Sequence, residues 1–267
     1  MKWSKKYLSI YLVSLQESIN YRGELLLWSF MDAVPLVGML VLWLNAFSTA
    51  NTIGGYSQTS IMTYYILGYL YSQVTGCHFD EGMNEEIRKG GVVFWLVKPI
   101  SLKRFLFVQE MAWRTMTMLL TALPVGVLTV IIAPQLLPVP SLFHLVLLPV
   151  FLVIAYTLEV MYSYMVVAMA FVFEQARSLE HLKWMLSWLL SGSMIPPEFM
   201  PSWLRGVIQW LPFQFRFYVP VRLTTGEIGG VAILWQGMLA MVWLVILWVF
   251  VRWLWQRNLR SFTAVGS

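Results

Sequence analysis

Charge is scarce in this sequence, and cysteine is almost absent. Asp, Glu, Lys and Arg make up only 12% of the 267 residues, whereas 59% are apolar. The mean hydropathy is +0.69. Cys77 is the one cysteine, so no disulfide can form within the chain and no loop is held by one.

Sequence motifs for common chemistries are also missing. There is no Gly-x-x-x-x-Gly-Lys-Ser/Thr phosphate loop, no His-Glu-x-x-His and no Gly-x-Ser-x-Gly. His78, His144 and His181 lie far apart, so we expect no metal site. No contiguous basic tract occurs, which argues against a nucleic-acid partner despite the net charge of +5. The chain is therefore not expected to be an enzyme by itself.

Long apolar blocks take the place of these features. Blocks 25–47 and 231–254 are long enough to cross a bilayer, which requires about 20 apolar residues in a helix. They do not alternate polar and apolar faces as the helices of soluble domains do. We predict an all-α membrane protein with one domain over residues 1–267. Its six transmembrane helices are predicted at 24–47, 61–79, 108–132, 142–173, 184–195 and 231–254.

Some of these spans are unusual. Span 142–173 is overlong, span 184–195 is too short to cross alone, and Pro124 predicts a kink in the third span. The stretch 196–230 is semi-apolar and broken by five prolines. Because non-helical backbone at membrane depth must be covered by protein or water, we expect re-entrant helices there, on the outer side.

Residues 1–22 predict an amphipathic helix in the membrane interface. Lys5 and Ser9 fall on one side of a helical wheel. Leu8 and Leu12 fall on the opposite side, so the helix contacts membrane lipid with its lysines toward anionic headgroups.

Lys and Arg are distributed unevenly across the predicted spans. Most of the 18 lie on the side of the N-terminus, and three fall on the other side: Arg205, Arg216 and Arg222. The positive-inside rule then places both termini in the cytoplasm.

Two acids lie inside predicted spans, Asp32 and Glu159. Intramembrane carboxylates are costly and suggest function, although each can also be a buried structural group. The sequence leaves both readings open. Three aromatic residues, Trp28, Tyr65 and Tyr69, are candidates for stacking on a flat or cationic substrate, or for simple packing.

Several strings of residues resemble a known family. Glu85-Glu86-Ile87-Arg88-Lys89-Gly90-Gly91 precedes Leu96-Val97-Lys98-Pro99-Ile100-Ser101. Later come Ser191-Gly192-Ser193-Met194-Ile195-Pro196-Pro197, Pro201-Ser202-Trp203-Leu204, Leu211-Pro212-Phe213 and Tyr218-Val219-Pro220. Together these resemble the permease subunit of a type-2 ABC exporter, in particular the viologen-exporter-like permeases. The resemblance spans essentially the whole chain, and it does not identify a substrate.

The resemblance implies an assembly and a mechanism. Two permease chains, identical or paralogous, would form the pathway, and two ABC ATPase subunits would bind ATP and magnesium, with no cofactor in this chain. Segment 80–104 would be the cytoplasmic coupling segment, with Asp80, Glu81, Glu85, Glu86, Arg88 and Lys89 contacting the ATPase. The outer gate would include Pro196, Pro197, Trp203, Pro212 and Phe213. The expected location is the inner membrane of a bacterium, and the expected substrate is amphipathic or hydrophobic and cationic.

Two other function classes remain open from the sequence. A stand-alone ion-coupled carrier would use Asp32 and Glu159 as proton or cation sites, although no inverted repeat is visible. A membrane enzyme acting on lipid would need clustered acids, metals or nucleophiles, which the sequence lacks.

Overall fold

Helices dominate the fold, as the apolar composition predicts. The computed structural model describes residues 2–173 and 176–261. Met1, Glu174, Gln175 and residues 262–267 lie outside the described residues. The helices are α1 Lys2–Asn20, α2 Arg22–Ala46, α3 Gln58–Thr75, α4 Phe79–Arg88, α5 Val92–Leu96, α6 Leu102–Thr117, α7 Leu123–Ile132, α8 Leu142–Ala170, α9 Ala176–Leu190, α10 Ser202–Ile208, α11 Tyr218–Thr224 and α12 Val231–Ser261.

Small elements join these helices. A two-stranded antiparallel hairpin, β1 Thr52–Ile53 and β2 Tyr56–Ser57, precedes α3. Its turn is Gly54-Gly55, and both glycines have positive φ, which L side chains rarely adopt. Short 3-10 turns lie at Pro134–Leu136, Pro197–Phe199 and Pro212–Arg216.

Four helical segments within the described residues are long and apolar enough to cross a membrane. They are Arg22–Ala46, Leu102–Ile132, Leu142–Ala170 and Val231–Leu259. They correspond to the first, third, fourth and sixth predicted spans. The 29 residues of α8 extend about 43 Å, more than the roughly 30 Å of a bilayer core. This confirms an all-α membrane protein.

The second and fifth predicted spans have a different character. Helix α3 is 18 residues long and carries Tyr, Ser, Thr and Gln, many of them buried against neighbouring helices. Helix α9 runs from Ala176 to Leu190, so its predicted bounds of 184–195 were wrong. Its first turns contain the charged residues Arg177, Glu180 and Lys183, which precede the predicted apolar span. The 15 residues of α9 extend only about 22 Å. Six spans therefore remain a prediction.

Helix α6 continues into α7 through one π-helical turn, Met118–Ala122. Pro124 occupies the second position of α7. A proline lacks the N–H that an α-helix needs and its ring crowds the preceding turn. The wider π turn absorbs this conflict, as such turns do inside longer helices.

Helix α1 packs lengthwise against α6. The hydroxyls of Tyr11 and Thr115 are 2.9 Å apart, and Ser14 and Ser18 are buried on the same side. Leu8 and Leu12 remain exposed, which leaves an apolar surface available to lipid.

The segment between α9 and α12 packs closely on α3. A Cβ added at Gly68 of α3 would clash with the ring of Phe217, and the Tyr71 and Thr224 hydroxyls are 2.6 Å apart. Helix α10 begins directly after Pro201, because proline suits the start of a helix.

We predict that Gly68→Ala destabilises the protein. The added methyl group meets the Phe217 ring, and overpacking of a filled core typically costs about 1–3 kcal/mol. Thermal unfolding in detergent, followed by tryptophan fluorescence, measures the effect. Gly38→Ala in α2 is the matched control, since nothing lies within 4 Å of its added Cβ. Equal melting temperatures for both variants would contradict the close packing.

Candidate functional site

A cavity of about 1310 Å³ connects α4 with the middle of α8. We call it the central cavity. It is lined by α4, the first half of α9 and the end of α8, and it also reaches Trp28, Glu159 and Arg216. Ala170 and Glu159 both line it, so it runs about 16 Å along α8.

A buried ion pair at one edge of the cavity joins α4 to α9. The Lys183 ammonium donates to both carboxylate oxygens of Asp80 at 2.7 Å. It also donates to the Cys77 carbonyl at 3.2 Å and to the Ser163 hydroxyl at 3.1 Å. The Asp80 side chain is fully buried. Full pairing of both charges makes this burial tolerable, because an isolated buried charge is very costly.

A second buried pair lies within α6, and its arginine also reaches the end of α3. The Arg114 guanidinium donates to Glu110 at 3.0 Å and to the Gln73 carbonyl at 3.3 Å. Its other terminal nitrogen lies 2.6 Å from Nδ1 of His78, which lines the central cavity. Arg114 therefore fixes the chain where α3 turns into α4.

The third pair is looser and lies inside the cavity. Arg216 and Glu159 are 3.6 Å apart, and the Glu159 side chain is only 3% exposed. Arg216 ends the 3-10 turn Pro212–Arg216, which packs against α8. Our sequence-based topology placed Arg216 on the outer side, whereas the structure places its guanidinium in the same cavity as Asp80 and Lys183. The tight fold of Pro212–Arg216 against α8 brings it there.

The structure does not bring the predicted pathway residues together at one place. Trp28 and Glu159 line the central cavity. Asp32 is exposed on α2 and interacts electrostatically with Gln73, Arg114 and Tyr69. Tyr65 lies elsewhere, because its ring is buried and its hydroxyl donates to the Met194 carbonyl at 3.1 Å.

Helix α4 is amphipathic, and most of the predicted docking residues lie on its open face. Glu81, Glu86, Arg88 and Lys89 are exposed and Glu85 is half-buried. The Arg88 guanidinium donates to Glu85 at 2.6 Å. Hydrogen bonds from Arg88 and Lys89 lower the pKa of Glu85 to about 2, so its carboxylate stays charged beside these two cations even in mildly acidic solution. Asp80 differs from the prediction, because its carboxylate is buried against Lys183 and not on this face.

The predicted outer-gate residues take different positions. Pro196, Pro197 and Pro212 are buried. Phe213 stacks on Tyr162 of α8 with ring centroids 5.1 Å apart. Trp203 is 69% exposed and packs little within this chain.

An acid that the sequence did not single out organises this segment. Glu198 accepts hydrogen bonds from Tyr56 at 3.0 Å and from Tyr218, and it pairs with Arg222. Arg222 also pairs with Glu227 at 3.1 Å. These contacts fasten the segment 196–230 to the β1–β2 hairpin.

The predicted site residues did not include Glu110, Arg114 or Lys183, which form these ion pairs. Glu110 and Arg114 stand four residues apart, which is the spacing of a helical ion pair and a usable signal. Lys183 and Asp80 are 103 residues apart in sequence, and no local pattern links them.

Comparison with known proteins gives one informative result. The family model described as ABC-2 family transporter protein matches residues 33–266. This range covers most of the chain and includes the central cavity except Trp28. No curated protein matches the chain.

We predict that breaking the Asp80–Lys183 pair on one side is worse than removing both charges. Asp80→Asn or Lys183→Met alone leaves a buried charge without its partner, which typically costs about 3–5 kcal/mol. The double variant should recover most of the lost stability. Thermal unfolding in detergent tests this, with Glu85→Gln on the exposed pair as a control that leaves the melting temperature unchanged. If the stability losses of the two single variants simply add in the double variant, the coupling between Asp80 and Lys183 is refuted.

Proposed function

The chain belongs to the ABC-2 transporter family, and we propose that it forms half of the translocation pathway of an ATP-driven exporter. It is a transmembrane permease component of a membrane transport system, and such permeases work with ABC ATPase subunits. In our proposal two ATPase copies bind ATP and magnesium, and a second permease chain, identical or paralogous, completes the pathway. The viologen-exporter-like subgroup is part of the same proposal.

The central cavity is the observation that carries this proposal. It extends from α4, the proposed coupling helix, to the Glu159–Arg216 pair halfway along α8. Motion of the coupling helix can open or close a substrate pathway only if a polar space lies beside that helix. ATP binding shifts the balance between two access states only if those states bind the ATPase dimer differently.

The open face of α4 supports docking of the ATPase. It presents Glu81, Glu85, Glu86, Arg88 and Lys89, a mixed-charge surface suited to a polar and reversible interface. The opposite face is tied to α9 by Asp80 and Lys183, with a further hydrogen bond from Asn84 to Glu180. A push on α4 is therefore transmitted directly to α9.

We propose six crossings in the assembled transporter. Helices α3 and α9 would cross while shielded from lipid, so they need less apolar surface than the other four spans. Exposed apolar residues on α2 and α9, including Trp184 and Met185, would face the second permease chain. The segment 196–230 would be the outer re-entrant region, fastened by Glu198.

The lining of the cavity suggests the substrate class. Glu159 has one loose ionic contact, and Trp28 offers an aromatic surface in the same cavity. An amphipathic organic cation would pair with the carboxylate and stack on the ring. The stand-alone ion-coupled carrier is not favoured, since the family is one of ABC transporter proteins.

Co-purification tests the proposal. We expect this chain, isolated from its native membrane in mild detergent, to bring a P-loop ATPase with it in about equal amount. Reversal of the charges of Glu85, Glu86 and Arg88 should abolish permease-stimulated ATP hydrolysis in the reconstituted complex. Arg205→Glu is the control, because Arg205 is exposed on α10, away from α4.

Purification of the chain alone, or only as its own oligomer, would refute the exporter function. Normal ATPase stimulation by the charge-reversed variant would refute only the docking face. The two failures are therefore distinguishable.

We also predict that Glu159→Gln lowers ATP-dependent uptake of a lipophilic cation into inverted vesicles about tenfold or more. The reason is the loss of one charge-assisted contact, worth about 1.5–3 kcal/mol. The double variant Glu159→Gln with Arg216→Gln separates substrate binding from structure. It should fold as well as the wild type and still transport poorly. Recovery of transport in the double variant would show that Glu159 only neutralises Arg216.

A further inference from the structure

Two segments of this chain carry cations and no acids. Residues 92–109 contain Lys98, Lys103 and Arg104, and residues 231–261 contain Arg252, Arg257 and Arg260. Neither segment contains Asp or Glu. The fold brings them together at the start of α6 and the end of α12, both at the predicted cytoplasmic ends of spans.

Lys103 is the residue at which the two cationic segments come into contact. Its ammonium lies 4.6 Å from the centre of the Trp255 ring. Tyr164 of α8 donates its hydroxyl to the Lys103 carbonyl and packs edge-on against Trp255 with centroids 6.1 Å apart. Three helices therefore fix the position of this lysine.

A second cation lies within electrostatic reach of Lys103. It is Arg252, one turn before Trp255 on α12. Nearby, the Lys98 ammonium covers the Trp95 ring at 3.9 Å, and the Lys6 ammonium donates to the Pro99 carbonyl at 2.6 Å. In the part of the chain that the structure describes, no acidic group lies within salt-bridge distance of Lys6, Lys98, Lys103 or Arg252. Like charges held close together repel each other, and an anion bound between them would offset this repulsion.

The surroundings indicate which anion. On the membrane side of Arg252, α12 exposes Val245, Trp248 and Val249, which lie on the same face of the helix because they precede Arg252 by seven, four and three residues. A phosphate at Lys103 and Arg252 would then place acyl chains along this surface. A zwitterionic lipid such as phosphatidylcholine would place its own ammonium group among the protein cations, which is unfavourable.

We propose that Lys103 and Arg252 bind the phosphate of an anionic phospholipid at the cytoplasmic end of α6 and α12. Lys98 and Lys6 add to the attraction from the edge of the site. The lipid phosphate bridges α6 and α12 beside the contacts that Tyr164 of α8 makes with the Lys103 carbonyl and the Trp255 ring. This inference is independent of the transport function.

Lipid titration of the purified full chain tests the site. Native mass spectrometry with phosphatidylglycerol and with phosphatidylcholine should show preferential retention of phosphatidylglycerol. Lys103→Gln should weaken its binding about fivefold, and the double variant with Arg252→Gln about 25-fold, at roughly 1 kcal/mol per cation. Lys103→Arg should retain binding, and Arg205→Gln, which removes a charge on α10, should leave it unchanged.

Each contrary result has a distinct meaning. Equal retention of both lipids by the wild type, or unchanged retention by the double variant, would overturn the site. Stabilisation by inorganic phosphate as strong as that by phosphatidylglycerol would show a free-phosphate site and overturn the lipid assignment. Melting temperatures in phosphatidylcholine nanodiscs establish that the variants are folded, and Arg252→Gln alone, with an expected loss of about fivefold, supplies the test if Lys103→Gln is not.

Discussion

Charges inside a membrane domain must be paired, and this requirement organises the centre of the molecule. Three ion pairs, Asp80–Lys183, Glu110–Arg114 and Glu159–Arg216, lie at or beside the central cavity. Two of them join segments that are far apart in sequence. Each such pair is satisfied only when its two segments are correctly placed, so pairing selects one arrangement of the helices. The pairs also allow a polar cavity to exist between otherwise apolar elements.

The three pairs differ in tightness, and the difference matches their positions. Lys183 makes contacts with Asp80, Cys77 and Ser163, so its ammonium is fully occupied. Glu159 has a single ionic contact at 3.6 Å. A tight pair holds two helices as one body, whereas a loose pair leaves capacity for another charged group. The rigid contact thus lies next to the proposed ATPase side and the adaptable one lies farther along α8.

The predictability of each feature depends on how local its cause is. The bounds of α8 could be predicted within three residues, and the start of α12 agrees with its prediction, because contact with lipid demands an uninterrupted apolar run. Helix α3 is harder to predict as a span, because protein covers much of its surface and it does not need an uninterrupted apolar run. Its Tyr64 donates a hydrogen bond to the distant Gly192 carbonyl. The β1–β2 turn carried a visible Gly54-Gly55 signal. The Asp80–Lys183 and Glu159–Arg216 contacts arise only from the packing of whole helices, so no window of sequence contains them.

The π-helical turn Met118–Ala122 has a consequence for variation in chain length. A π turn accommodates one residue more than the α-helical ladder around it. Loss of one residue within it would restore regular α-helix, while leaving the hydrogen bonding on both sides intact. Each residue turns an α-helix by about 100°, so a deletion elsewhere in α6 would turn α7 to another face, whereas a deletion in the π turn removes only the residue that the wider turn absorbs. Met118–Ala122 is therefore a place where the chain can lose one residue while α6 and α7 keep nearly the same relative orientation.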